Sequence, residues 1–182
     1  MPGKVYVVQV FTNGESGFPI DSVVEIGVAS ADLGSGIVLS EMHTKVRSDV
    51  WDWSDNQIAY YRGVHGGDID SLQAQPHPDE VRERLIGLIG GGEVTSYDVS
   101  NAIGKFLIYE PWDITKIVEI RPSICVRGPP GLKPRDMASE PRAIARAHAA
   151  VAGAGPVDVG NALDYAVMAA EVAVAYRAKG LF

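Results

Sequence analysis

Six residues near the N-terminus, Val5-Tyr6-Val7-Val8-Gln9-Val10, constrain the fold more than any other stretch of the chain. They are β-branched or aromatic at nearly every position and are followed by the turn residues Thr12-Asn13-Gly14, the pattern of a strand. A strand with polar residues on alternate positions leaves one face to water. This one is almost continuously apolar, so it belongs at the centre of a sheet covered on both faces. Val23–Ala29 reads as a second strand and Ile37–Val46 contains a third, which gives an antiparallel meander at the start.

The period then changes. Asp55–Gly63 reads as a short helix with Asp55 as its cap. Asp79–Ile89 is a helix opened by Pro78, with Val81, Leu85, Leu88 and Ile89 on one face, and Gly90-Gly91-Gly92 stops it by offering a left-handed cap. Val94–Ser96 reads as a short buried strand, Asn101–Tyr109 as a helix, and Thr115–Val126 as the location of another strand. The proline- and glycine-rich segment 127–135 is a loop. Ser139 is placed to cap a helix through Ala150, and an alanine-rich helix runs from Asn161 to Lys179. Strands first and helices later make residues 1–182 a single α/β domain with a mixed sheet.

Composition narrows the function. With 46% hydrophobic residues the chain is not disordered. No apolar run approaches the roughly 18 residues of a membrane span, and Val5–Val10 is too short for a secretory signal. One cysteine, Cys125, forms no internal disulfide, which suits a cytoplasmic location. Sixteen Lys+Arg against 23 Asp+Glu give a formal charge of −7, which weighs against a general grip on phosphate backbones.

Several short motifs, taken in order, resemble the DEDDh 3′→5′ exonucleases, which have a ribonuclease-H-like fold. Gln9-Val10-Phe11-Thr12-Asn13-Gly14 lies where that family has D-x-E-T-T-G. Asp21-Ser22-Val23-Val24-Glu25-Ile26-Gly27 resembles its second strand, Arg62-Gly63-Val64 its H-G-I, Gly104-Lys105-Phe106-Leu107 the end of its second motif, and Asn161-Ala162-Leu163-Asp164-Tyr165-Ala166 its third. The resemblance implies a ribonuclease-H-like sheet, antiparallel then parallel. It also implies a site where four carboxylates hold two Mg²⁺ or Mn²⁺ ions and a histidine acts as base. At those positions this chain has Gln9, Phe11, Ile103 (Asn101 if a two-residue gap is allowed), Gly160 for the histidine, and Tyr165. Hard cations need anionic oxygen, so the expectation is that metal binding is lost, that no catalytic residue remains, and that the chain is not an enzyme.

That expectation leaves a binding or scaffolding module. Its partner would be another protein or a second copy, met through the aromatic segment Trp51-Asp52-Trp53 and Tyr60-Tyr61. The alternative is single-stranded nucleic acid or a nucleotide in the former cleft at Gln9, Phe11, Thr12 and Tyr165. The basic stretch Arg127, Lys133, Arg135, Arg142 and Arg146 would assist, with Arg142 and Arg146 sharing a helix face. A third reading keeps residual exonuclease activity at a displaced site using Asp98, Asp158 or Asp164. His65 and Asp68 are read as a surface turn, His77 as a helix entrance, His43 and His148 as lacking partners, and Cys125 as a buried structural thiol.

Overall fold

A computed structural model of the chain describes residues 3–153 and 160–182. The apolar N-terminal run forms β1 (Lys4–Thr12) in the middle of a five-stranded sheet. On one side β1 pairs antiparallel with β2 (Val23–Asp32), which pairs antiparallel with β3 (Val38–Lys45). On the other it pairs parallel with β4 (Glu93–Thr95), and β4 with β5 (Glu119–Ile120). The order β3-β2-β1-β4-β5 is the mixed sheet expected from the sequence, flanked by helices.

Because side chains alternate along a strand, β1 serves two cores. Val8 and Val10 pack with Val81, Leu85 and Ile89 of α2 (Pro78–Ile89) and with Phe106. Val5 and Val7 pack under α3 (Glu140–Ala152) and α4 (Ala162–Ala178), against Ile144, Ala166 and Ala169. Gln9 and Phe11 continue that second face, so the period of β1 itself aims them at the same pair of helices.

The small residues of α4 let it approach the sheet closely, and Gly27 shows how closely. A Cβ at Gly27 would stand 2.2 Å from the backbone carbon of Ala162. Buried Glu25 then reaches the helix start, where its Oε1 accepts from the Ala162 N–H at 2.7 Å. A carboxylate there meets an orphan N–H and the positive end of the helix dipole together.

Several boundaries differ from expectation. Helix α1 (Asp55–His65) is capped by Ser54 in a reciprocal box with Gln57, not by Asp55. Helix α2 stops at the glycine run as expected, with Gly91 taking the left-handed conformation (φ 72°). Ser100–Leu107 is a π-helix. The strand expected within Thr115–Val126 is only Glu119–Ile120, because Pro122 has no N–H to extend the ladder. Segment 127–135 holds one short 3₁₀ turn, Pro130–Leu132. Ser139 stands before α3 without capping its first turn; its hydroxyl oxygen accepts instead from the Arg135 and Asp136 N–H groups, closing the preceding loop. No helix among the described residues is long and apolar enough to cross a membrane.

Candidate functional site

Four of the predicted positions meet. Gln9, Phe11, Thr12 and Tyr165 line one cleft, together with Tyr60, His65 and Glu140. Ile103 does not join them: it points into the core beneath α2 with Val8 and Val10. Asn101, near the start of the π-helix, instead reaches the cleft's floor, its Nδ2 donating to Glu140 Oε2 at 2.9 Å. Gly160 is exposed and lines none of the cavities described here. Asp158 lies outside the described residues.

The cleft is nearly full. His65 lies flat on Phe11, ring centroids 4.0 Å apart, and Tyr165 tilts against Phe11 at 5.9 Å. Tyr60 meets His65 edge-on at 5.9 Å. The space left is about 20 Å³, room for about one water molecule. His65 is thus no surface turn residue but the last residue of α1, packed inward. Burial pushes its imidazole down to about 4, offset only in part by the Thr12 backbone. Neither ring nitrogen finds a well-aligned partner among the described residues.

The floor carries a carboxyl group that motif counting passed over. Glu140, the first residue of α3, is 5% exposed. It accepts from Asn101 Nδ2 at 2.9 Å and from the Asp98 N–H at 3.2 Å. The Gln9 amide nitrogen donates to it at 3.2 Å, while the Gln9 oxygen accepts from Ser96 Oγ and the Tyr97 N–H. Burial, with the neighbouring Asp98 charge, pushes Glu140 up to about 8 despite these donors. It therefore holds its proton at neutral pH and can exchange it in the alkaline range. In sequence it was visible only as one acid among the basic residues of 127–146.

The other acids and histidines have structural roles. Asp98 Oδ1 accepts from the Ser100 N–H at the start of the π-helix, and Asp164 Oδ2 accepts from the Gly160 N–H. His43 and His148 have partners after all, Glu25 and Glu171. His77 caps α2 through the Asp79 N–H at 3.4 Å. Cys125 is buried, its thiol pushed up to about 12 by burial. Of the aromatic segment, Tyr61 is core and Trp51 is 83% exposed. No group of three or more His, Cys, Asp or Glu among the described residues could hold a metal ion.

Two more open cavities lie on the α3 side of the nearly filled cleft. A groove of about 770 Å³ is lined by Lys133, Arg135, Arg142 and Arg146, with Asp136 as its one acid. None of these four cations forms an ion pair with a described residue. Between groove and cleft lies a hollow of about 380 Å³, which shares Pro141 and Tyr165 with the cleft and Asp136, Ser139 and Arg142 with the groove.

No protein-family model and no curated protein sequence matches the chain. Solved structures do. One is a 3′-exonuclease described in 3′-end specific recognition of histone mRNA stem-loop (TM-score 0.64, 13% identity, 94% of this chain and 80% of that one). Another is the nuclease domain of 3′hExo, a DEDDh family member bound to rAMP (TM-score 0.62, 14% identity, 94% and 90%). A third is the zinc-bound E. coli ExoI–ssDNA complex (TM-score 0.61, 13% identity), which covers 99% of this chain but 41% of its own. At these identities the likeness is one of fold, and the fold is that of the ribonuclease-H-like exonucleases.

The expectation that the chain is not an enzyme is corrected by these matches. The structures that share its fold over nearly its whole length are exonucleases. The expectation rested on motif positions alone, and those positions left out Glu140, an acid buried on the floor of the same cleft.

Proposed function

We propose that this chain binds single-stranded nucleic acid, with the backbone phosphates lying in the basic groove beside α3. The observation that carries the reading is a set of four cations, none in an ion pair with a described residue, in one groove on a protein whose formal charge is −7. Four cations against one acid in a single concavity, on a protein with an overall acid excess, is the local charge balance that phosphate binding calls for. The fold agrees, since the neighbours with this architecture include proteins described with stem-loop RNA and with ssDNA.

The paired divalent cations implied by the resemblance do not fit the residues present. Gln9, Asn101 and Tyr165 offer neutral oxygens, and Phe11 offers none. Hard dications need more anionic oxygen than Glu140 alone supplies. We place the protein in a reducing, cytoplasmic compartment on the strength of its single buried cysteine.

Fluorescence anisotropy with a labelled 12-nucleotide single strand tests the reading, and a gel of the same mixture reads cleavage in parallel. Saturable binding at about 50 mM salt that weakens steeply with added salt supports it; no binding there overturns it. A second reading, docking of a protein partner, is favoured by Trp51 standing almost bare on the surface.

A further inference from the structure

We infer that a pocket between the start of α2 and the turn after the π-helix docks a protein partner, taking one proline ring of an extended, proline-rich segment with a basic residue beside it. The site does not rest on the nucleic-acid reading. It is built on the core beneath α2, the face of the sheet turned away from α3, and shares no lining residue with the cleft or the basic groove.

Its walls come from separate segments. Phe18 stands in the loop after β1, Val23 opens β2, Pro78 opens α2, and Phe106, Pro111 and Trp112 come from the π-helix and the turn that follows. Phe18 is fixed by its N–H, which donates to the Lys105 carbonyl at 3.0 Å. Its ring stacks on Tyr109 with centroids 5.2 Å apart and planes 18° from parallel, yet the two residues stay 46% and 41% exposed. Aromatic surface held rigid and left open is what protein interfaces are enriched in. Trp112 is 5% exposed, and its indole N–H meets no acceptor among the described residues, although its carbonyl accepts from Arg82. That nitrogen is not sealed in the core either, so its open side is the pocket that Trp112 lines. A carbonyl of the partner would satisfy it. The space is about 120 Å³. An apolar cavity of roughly 150 Å³ takes up benzene, so this one takes a single five-membered ring.

These features choose among the ways a protein takes up a peptide. The strand that contributes to the pocket, β2, is paired on both sides, so no edge is free for an added strand. A docked helix needs a groove several turns long, and this pocket holds one ring. A polyproline II segment fits. Its carbonyls make no internal hydrogen bonds, so one is free to accept from Trp112, and such segments dock in aromatic-lined sites. It is ordered before it binds, so a small site can hold it. Charge sets the flank. Asp21 is answered by the Ser16 N–H and the Gln57 amide, and Arg47 lies 4.0 Å from Asp49. Glu110 is exposed and in no ion pair with a described residue, which leaves its carboxylate for a Lys or Arg of the partner.

A peptide of eight prolines with two arginines at one end is the probe. The chain has three tryptophans, and the Trp53 indole is already bonded to Ser48 Oγ, so NMR of the indole N–H groups reads Trp112 against an internal control. The Trp112 signal should shift saturably while the Trp53 signal stays, and the same peptide with alanine for proline should move neither. Glu110→Gln should weaken the arginine-bearing peptide about threefold and leave an uncharged octaproline unaffected. Phe18→Ala should weaken both proline peptides about fivefold, with thermal melts to show that each variant keeps its fold. No shift of Trp112 at about 1 mM peptide, the weak end of specific recognition, overturns the site. An equal shift with the alanine peptide overturns its claim on proline. Affinity unchanged in Phe18→Ala and in Glu110→Gln, both melting as wild type does, overturns the placement in this pocket.

Discussion

His65 stacks face to face on Phe11, with ring centroids 4.0 Å apart and an interplanar angle of 19°. The pair joins the end of α1 to the central strand and closes the cleft from above. An imidazole held this way must stay neutral, and burial brings it down to about 4. An unfolded histidine titrates near 6.5. Between those values the unfolded chain takes up a proton that the folded chain refuses, so stability falls as pH drops from about 6.5 to about 4.

Replacing His65 by Phe keeps the stack and removes the titration. The variant should lose less stability on acidification than wild type, by about 3 kcal/mol at pH 4. Urea midpoints at pH 7 and pH 4 measure the difference. Equal acid sensitivity in both proteins contradicts the burial of His65.

Glu140 sets the opposite limb. Its carboxyl is pushed up to about 8 by burial, above the 4.5 of a free side chain. The folded chain keeps a proton that the unfolded chain has released, so stability falls as pH rises from about 4.5 through 8. Glu140→Gln supplies a neutral isostere. It should flatten the decline, leaving the variant more stable than wild type at pH 9 by a few kcal/mol. Thermal melts across pH 5–9 check this. An alkaline decline of equal steepness in Glu140→Gln and wild type would mean the group is already ionised in the folded protein.

Gly27→Ala should be costly for a single methyl. The new carbon would meet the Ala162 backbone, which cannot swing aside as a side chain can. Helix α4 must shift outward, stretching the Glu25–Ala162 hydrogen bond. A loss of about 3 kcal/mol is expected, a fall in Tm of roughly 5–10 °C. Calorimetry of the two proteins measures it.

The sheet was legible because its cause is local: β-branched runs and turn residues mark β1, β2 and β3 directly in the sequence. Helix positions were legible for the same reason, while caps were not. Ser54 displaces Asp55 only because Gln57 stands three residues on to answer it. The π-helix shows a second limit. Within it Asn101 reaches Glu140 while Ile103 enters the core, a choice that residue spacing left open. Glu140 was missed because its environment is made by other elements, Gln9 from β1 and Asn101 from the π-helix. The filling of the cleft by His65 was likewise invisible, since it depends on where α1 ends relative to β1. Arg142 and Arg146 were read as a shared helix face, and both line the groove; the three-dimensional addition is that Lys133 and Arg135 face them.

The most direct test of the account is the salt dependence of single-strand binding in wild type and in the double variant Arg142→Gln, Arg146→Gln. With three to four phosphates neutralised, the plot of log affinity against log salt should have a slope of about −2 to −3 for a single strand. Removing two of the cations should reduce that slope by about 1.4, with the fold and thermal stability intact. An unchanged slope in the double variant, or no binding of wild type at about 50 mM salt, would contradict the claim that this groove receives nucleic acid.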